Sequence, residues 1–282
     1  MNQFHTEEVM HVESVLLKVK DKRAMLKFYK DAFGFEILKE EDNIFHLGPK
    51  EGKILVSLLE DINSTLSFDN KPLYHFALLL PSRQDLADFI RNYIKTRYPY
   101  VGASDHSVSE AIYIEDVEGN GIEIYVDRPS FLWKFNNGSV YMDTRPLDIH
   151  SLIKMGKEEY KGVPKDTIMG HLHLHINNMV EAEAFFVDAL GFKKLLKYGN
   201  SALFVCDFSY HHHIAFNTWA KSNKEEGHNK SGLYAYTLNV PNKDKEAFIE
   251  RLMNKGIVTK KEGNKTFIHD VNGTIIYLKN VD

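Results

Sequence analysis

Four short runs along the chain carry the dense apolar pattern of buried strands: Val15-Leu16-Leu17-Lys18-Val19, His75-Phe76-Ala77-Leu78-Leu79-Leu80, Leu172-His173-Leu174-His175-Ile176 and Tyr236-Thr237-Leu238-Asn239-Val240. Behind each comes a stretch with apolar residues three and four apart, the period of an amphipathic helix, over residues 22–32, 82–95, 180–190 and 244–255. Leu86, Phe89, Ile90 and Tyr93 make such a stripe in the second. Gly34, Gly191 and Gly256 stand where a left-handed C-cap would end three of these helices. Further strand candidates follow, at 35–39, 44–47 and 54–59 in the first unit. The pattern predicts four βαβββ modules.

The modules are related in pairs. Phe28-Tyr29-Lys30-Asp31-Ala32-Phe33-Gly34-Phe35-Glu36 recurs as Phe185-Phe186-Val187-Asp188-Ala189-Leu190-Gly191-Phe192-Lys193, an offset of 157 residues, and the strand before each copy shifts by the same amount. An α+β chain of two similar halves is therefore expected, with two modules in 9–127 and two in 168–282. The intervening 128–167 holds Pro129, Pro146, Pro164 and a short helical stretch near Ile149 to Met155, and reads as a connector.

Composition narrows the function classes. Lys plus Arg number 35 against 39 Asp plus Glu, a net charge of −4 with no basic block, which argues against nucleic acid as a partner. No apolar run approaches the roughly 18 residues of a membrane span, and the first residues lack the pattern of a signal peptide, so a cytoplasmic protein is expected. A single Cys206 excludes an internal disulfide framework and any cysteine-based zinc cluster. Beside it stand 14 His, so a bound metal would take imidazole nitrogens and carboxylate oxygens.

Repeats allow one structural position to be compared across modules. Five residues before the last apolar residue of the first strand, the occupants are Ser14, His75, His171 and Ala235. At the module ends, the strand leaving Asp116-Val117-Glu118-Gly119-Asn120-Gly121 carries Glu123, whereas the one leaving Asp270-Val271-Asn272-Gly273 carries Tyr277 at that place. The third module offers Tyr210-His211-His212-His213-Ile214-Ala215-Phe216 as its last strand; the first has only Lys53-Ile54-Leu55-Val56-Ser57-Leu58. Metal-competent side chains are thus segregated into modules two and three. Taken singly, a histidine at a strand start is more often a hydrogen-bonded structural residue, and Glu123 alone could be a solvated edge carboxylate; the shared position favours a metal set. His75, Glu123 and His171 supply two imidazoles and a carboxylate, the donor set of a non-haem Fe(II) centre with open positions. This requires module two to pair with module three. His173, His175 and His211 are left undecided, and His5, His11, His46, His150, His228 and His269 read as surface or loop residues.

This arrangement resembles the vicinal oxygen chelate superfamily of glyoxalases, antibiotic-resistance proteins and type I extradiol dioxygenases, over nearly the whole chain. A narrower likeness lies in Ser104-Asp105-His106, Ile112-Tyr113, Asp116-Val117-Glu118-Gly119 and Glu123, whose spacing is similar to the extradiol ring-cleavage signature, with Ser104 for its first Gly and Val117 for its Pro. With Tyr74-His75-Phe76, Gly170-His171 and the His-rich 210–219 stretch, the chain resembles catechol 2,3-dioxygenase-like two-half proteins of the CatE type. The resemblance implies curved mixed sheets enclosing a metal site, a catechol-like aromatic substrate, O2 as co-substrate and Fe(II) as metal, with Mn, Ni and Zn as alternatives. It implies that His106 and Tyr113 hydrogen-bond substrate or oxygen and that a third-module histidine is the acid/base group. The extradiol alignment selects His212 for that role and the glyoxalase register selects His213. Strand alternation sends the two to opposite faces, and His213 is retained as a further candidate ligand. Other readings on the same fold are a glyoxalase-type isomerase or thiol transferase and a non-catalytic resistance protein that binds a small molecule. Pairing inside one chain builds the site without a second subunit and leaves a homodimer open.

Overall fold

The computed structural model describes residues 3–66, 71–136, 138–157, 159–220 and 229–281; His228 lies outside them. In chain order, module one comprises β1 (His11–Val19), α1 (Lys22–Phe33), β2 (Glu36–Glu41), β3 (Ile44–Gly48) and β4 (Val56–Glu60). Module two comprises β5 (Leu73–Leu79), α2 (Arg83–Thr96), β6 (Tyr100–Asp105), β7 (Ser109–Glu115) and β8 (Gly121–Asp127). A small ribbon, β9 (Phe135–Asn136) and β10 (Ser139–Val140), and a short helix, α3 (Ile149–Met155), precede module three. That module comprises β11 (Ile168–His175), α4 (Met179–Glu183) running into a π-helical stretch over Ala184–Ala189, then β12 (Lys193–Tyr198), β13 (Ala202–Cys206) and β14 (Ile214–Asn217). Module four adds β15 (Gly232–Asn239), α5 (Lys245–Asn254), β16 (Lys260–Glu262), β17 (Lys265–His269) and β18 (Ile275–Lys279).

The modules associate crosswise. One eight-stranded sheet runs β16-β17-β18-β15-β1-β4-β3-β2, from modules four and one; the other runs β12-β13-β14-β11-β5-β8-β7-β6, from modules three and two. In each, the first strands of two modules pair antiparallel at the centre, β1 with β15 and β5 with β11, and each is flanked by the last strand of its own module in parallel. The two expected halves along the sequence are therefore interleaved in space, and the mixed pairing is that of the predicted α+β fold.

Alternation assigns the faces. Phe76, Leu78, Leu80, Leu172, Leu174 and Ile176 join the main core, where they meet Phe89 of α2 and Phe186 of the π-helical stretch. The alternate residues Ala77, Leu79 and Tyr125 belong to a separate small cluster with Ala111, Tyr113 and Ile168 on the concave side. The aromatic residues at the repeated helix, Phe28, Tyr29 and Phe33, are fully buried, and Phe33 stacks on Phe89 at 5.4 Å, locking α1 to α2. Gly34 ends α1 at φ +68° and returns its N–H to Lys30 O at 2.9 Å, as its position predicts.

Two expectations fail. His5 and His11 are buried, because the N-terminal segment folds back over the second sheet: His5 Nε2 donates to Gly170 O at 2.7 Å and Met10 N–H donates to Asp207 Oδ2 at 2.9 Å. Residues 210–213 are not strand; β14 begins only at Ile214, after a bend in which Phe208 and Ser209 adopt φ of +51° and +57°.

Candidate metal centre

The floor of the site is the middle of the second sheet. His75 on β5 and His171 on β11 come from adjacent antiparallel strands, with His171 opposite Ala77 and His173 opposite His75. Glu123 on β8 lies beside Ala77 in the parallel register. The turn before β8 is built on Asp116, whose Oδ1 accepts the N–H groups of Glu118 and Asn120 at 3.0 and 2.9 Å. Gly121 then opens the strand where a Cβ would stand 2.1 Å from Tyr74 O, so that only glycine lets β8 lie this close to β5 and bring Glu123 under His75. Val117, which replaces the Pro of the ring-cleavage signature, is exposed on this turn and leaves its geometry intact.

Among the described residues, His75, Glu123 and His171 form the one group of three side chains whose ligand atoms all lie within 4.8 Å of one another, and all three are buried. Glu123 Oε2 stands 3.0 Å from His75 Nε2 and 3.2 Å from His171 Nε2. Ligands held about 2.1 Å from one ion at right angles stand about 3.0 Å apart. The His75 Nε2 contact lacks hydrogen-bond geometry, leaving a buried nitrogen that the protein does not satisfy. Burial drives the His171 imidazole down to about 4, against the pull of Glu123, so it is neutral with its lone pair available. Burial alone would push the Glu123 carboxyl up, but the two imidazoles hold it well below the usual carboxylate range. Two imidazole nitrogens and an anionic oxygen fit a divalent cation.

Around this floor the other expected residues take distinct places. Tyr113 sits opposite Glu123 on β7. Its hydroxyl donates to His106 Nε2 at 2.7 Å, because His106 Nδ1 must donate to Asp143 O at 2.8 Å. Burial, with Glu123 nearby, raises the Tyr113 phenol well above its ordinary value and keeps it protonated. His212 lines the cavity with its ring 4.0 Å from that of His171 and edge-on to Phe204 at 5.1 Å. Burial holds it well below the ordinary imidazole value, with His171 and His211 adding to the effect. His173 lies on the same floor and meets Asn217 at 2.9 Å.

His213 is a correction. It faces away from the cluster, donating Nε2–H to Phe4 O at 2.8 Å and accepting the Asp207 N–H on Nδ1 at 3.1 Å. Both nitrogens are used, so it leaves the ligand set. The position in module three that corresponds to Glu123 is Ala215, beside His173, because the bend takes up the residues that a continuous strand would have spent. Sequence reasoning missed Asp127, although Glu123, Tyr125 and Asp127 alternate onto one face of β8.

Above the cluster opens a cavity of 740 Å³ whose walls include Tyr74, Leu196, Tyr198, Phe204 and Trp219. An aromatic-walled cleft over convergent polar groups is the usual form of a small-molecule site.

Residues 11–124 match the family model described as Glyoxalase/Bleomycin resistance protein/Dioxygenase superfamily. The chain is 37% identical over 278 residues, 95% of its length and 97% of the relative's, to catechol-2,3-dioxygenase of Bacillus subtilis (strain 168). Among solved structures, the cppA protein of Streptococcus pneumoniae TIGR4 superposes with a TM-score of 0.59 at 12% identity, covering 96% of this chain and 98% of that one. Glyoxalase I of Zea mays superposes with a TM-score of 0.56 at 14% identity, covering 95% and 92%. These two share the fold. The identity to the Bacillus relative, sustained across both halves, shows that the chain belongs to the glyoxalase/bleomycin resistance/dioxygenase superfamily, as an enzyme on its dioxygenase branch.

Proposed function

We propose that the chain is an extradiol dioxygenase that inserts both atoms of O2 into a catechol-like ring, cleaving the bond beside one hydroxyl-bearing carbon, with Fe(II) held by His75, Glu123 and His171. The observation that carries this is the meeting of two imidazoles and one carboxylate at 3.0 and 3.2 Å on the floor of an aromatic-walled cavity. A bound Fe(II) would supply the redox chemistry that lets dioxygen react with the diol. His212, neutral and unligated at the cavity wall, takes a proton from the diol and returns it to the opening ring. Tyr113, whose proton goes to His106, presents its hydroxyl oxygen as an acceptor for a hydroxyl of the substrate. Phe204, Trp219 and Tyr74 flank the ring. The Bacillus relative's name supports the substrate class. The reading places the enzyme in aromatic catabolism in the cytoplasm; among the described residues no helix is long and apolar enough to cross a membrane.

The test is anaerobic reconstitution with Fe(II), addition of 18O2 and a panel of catechols. Yellow product carrying both labelled atoms, with iron and not with zinc, is the expected result. Turnover of a hemithioacetal with nickel or zinc, and none of catechols with iron, would instead assign the chain to isomerase chemistry.

A further inference from the structure

We propose that Asp127 and His211 are positioning residues that fix the orientation and tautomer of His212, an assignment that rests on the ring-cleaving reading above. Asp127 closes β8, two alternations beyond Glu123 on the same face. Its Oδ1 meets His211 Nε2 at 2.9 Å and its Oδ2 accepts the Tyr210 hydroxyl at 3.0 Å, which in turn contacts the Tyr125 hydroxyl at 2.7 Å. His211 Nδ1 stands 2.8 Å from His212 Nδ1. The chain therefore runs from carboxylate to imidazole to imidazole and ends beside the metal cluster.

Proton inventory gives the chain a direction. A carboxylate only accepts, so His211 presents a proton on Nε2, and in the singly protonated ring its Nδ1 carries the lone pair. The short contact between the two Nδ1 atoms then needs its proton from His212. That leaves His212 Nε2 as its free basic nitrogen. Without Asp127, either ring of the adjacent pair could donate, and the basic nitrogen of His212 would not be specified; a second partner of this kind commonly selects the tautomer of a functional histidine.

Two further observations separate this arrangement from ordinary core satisfaction. His211 is 1% exposed and is covered by Trp133, ring to ring at 5.4 Å, while Phe4 stacks on Trp133 at 5.4 Å, so water is kept from competing for the Nδ1 contact. In the other sheet, the position of module four that corresponds to Asp127 is Val281, a buried apolar residue, just as Tyr277 replaces Glu123. Module one does carry a carboxylate at that position, Asp61, but it pairs with Lys18 at 3.6 Å and accepts the Asn63 N–H at 3.1 Å, so it has no imidazole to orient.

The experiment compares His211→Phe, which keeps a ring but removes both nitrogens, His211→Gln, whose amide reaches toward Asp127, and His211→Asn, whose amide oxygen falls near the Nδ1 position and can accept the His212 proton. With iron loaded, kcat should fall about 10- to 100-fold in His211→Phe and His211→Gln and recover to within a few fold in His211→Asn, the scale on which outer partners of a metal site act. Iron stoichiometry and the anaerobic dissociation constant for catechol should stay within about twofold of wild type throughout. Equal activity in all three, or a loss matched by loss of iron, overturns the proposal. A readout without turnover is the 15N spectrum of histidine-labelled, zinc-loaded protein: His212 is expected as the Nδ1–H tautomer in wild type and shifts toward Nε2–H in His211→Phe. Finding Nε2–H in wild type overturns the assignment whatever the activity. An inactive iron enzyme with the Nδ1–H tautomer in place counts against the ring-cleaving reading alone.

Discussion

The two sheets of this protein share a strand order, a central antiparallel pair and flanking parallel strands, yet only one carries a candidate metal centre. Where the second sheet has His75, His171 and Glu123, the first has Ser14, Ala235 and Tyr277. The first sheet's concave side still forms a cavity, of 410 Å³, but among the described residues it brings together no comparable ligand set, and several of its polar groups pair instead: Lys279 bonds Glu7 and Glu13 at 2.9 and 2.7 Å, and His46 meets Ser57 at 2.7 Å. The comparison teaches that the fold supplies a concave seat twice, and that a few side chains at equivalent positions decide whether the seat can hold a metal.

The sharpest break of this comparison is removal of a ligand. Glu123→Ala or His75→Ala should abolish stoichiometric iron binding and reduce ring cleavage by at least about 1000-fold, a loss on the scale of removing a whole catalytic unit. Tyr277→Phe and Ser14→Ala at the equivalent positions should leave both unchanged. Metal analysis beside oxygen-uptake rates checks the pair, and retained iron in Glu123→Ala would contradict the ligand assignment. The next largest effect is expected from His212→Ala, which should keep its iron and lose about 100- to 10,000-fold in kcat, the range of general acid–base catalysis. The same change at His213 should affect stability and not chemistry, since that ring holds Phe4 and Asp207.

Acid should have the next largest effect, carried mostly by the second sheet. Burial lowers His5, His171, His173, His212 and His213, gathered on or behind the second sheet, below the ordinary value of 6.5, and it also lowers His11 and His46 on the first. These groups are neutral when folded and protonate more readily when unfolded, so the unfolded state binds the extra protons. Their contribution is fully present above 6.5 and is lost as pH falls toward the value of about 4 held by His171. The denaturation midpoint of the metal-free protein should therefore be flat above about pH 7 and fall steadily below 6.5. A midpoint that rises on acidification would refute this. The smallest effect is expected from the graft Ser14→His, Ala235→His and Tyr277→Glu, which should add a second, weaker equivalent of metal, measurable by titration of a His75→Ala background.

The repeat, the strand and helix types and the pairing of modules two and three were legible because they rest on local periodicity and on equivalent positions that the chain displays twice. His75, His171 and Glu123 were legible for the same reason. The choice between His212 and His213 was not, because it depends on where β14 begins, and that is set by the bend at Phe208 and Ser209 and by Phe4, 209 residues away, receiving the His213 proton. The burial of His5 and His11 escaped notice because nothing in the first residues reveals that they fold over Gly170.

By itself, then, the sequence determined the modules, the fold class and the three side chains that meet in the second sheet, since period and position are properties of the chain alone. The tertiary structure decided which histidine turns toward the cavity and which carboxylate stands behind it. Such contacts join residues 84 positions apart, as Asp127 and His211 are, and arise only when strands from different modules are brought into register.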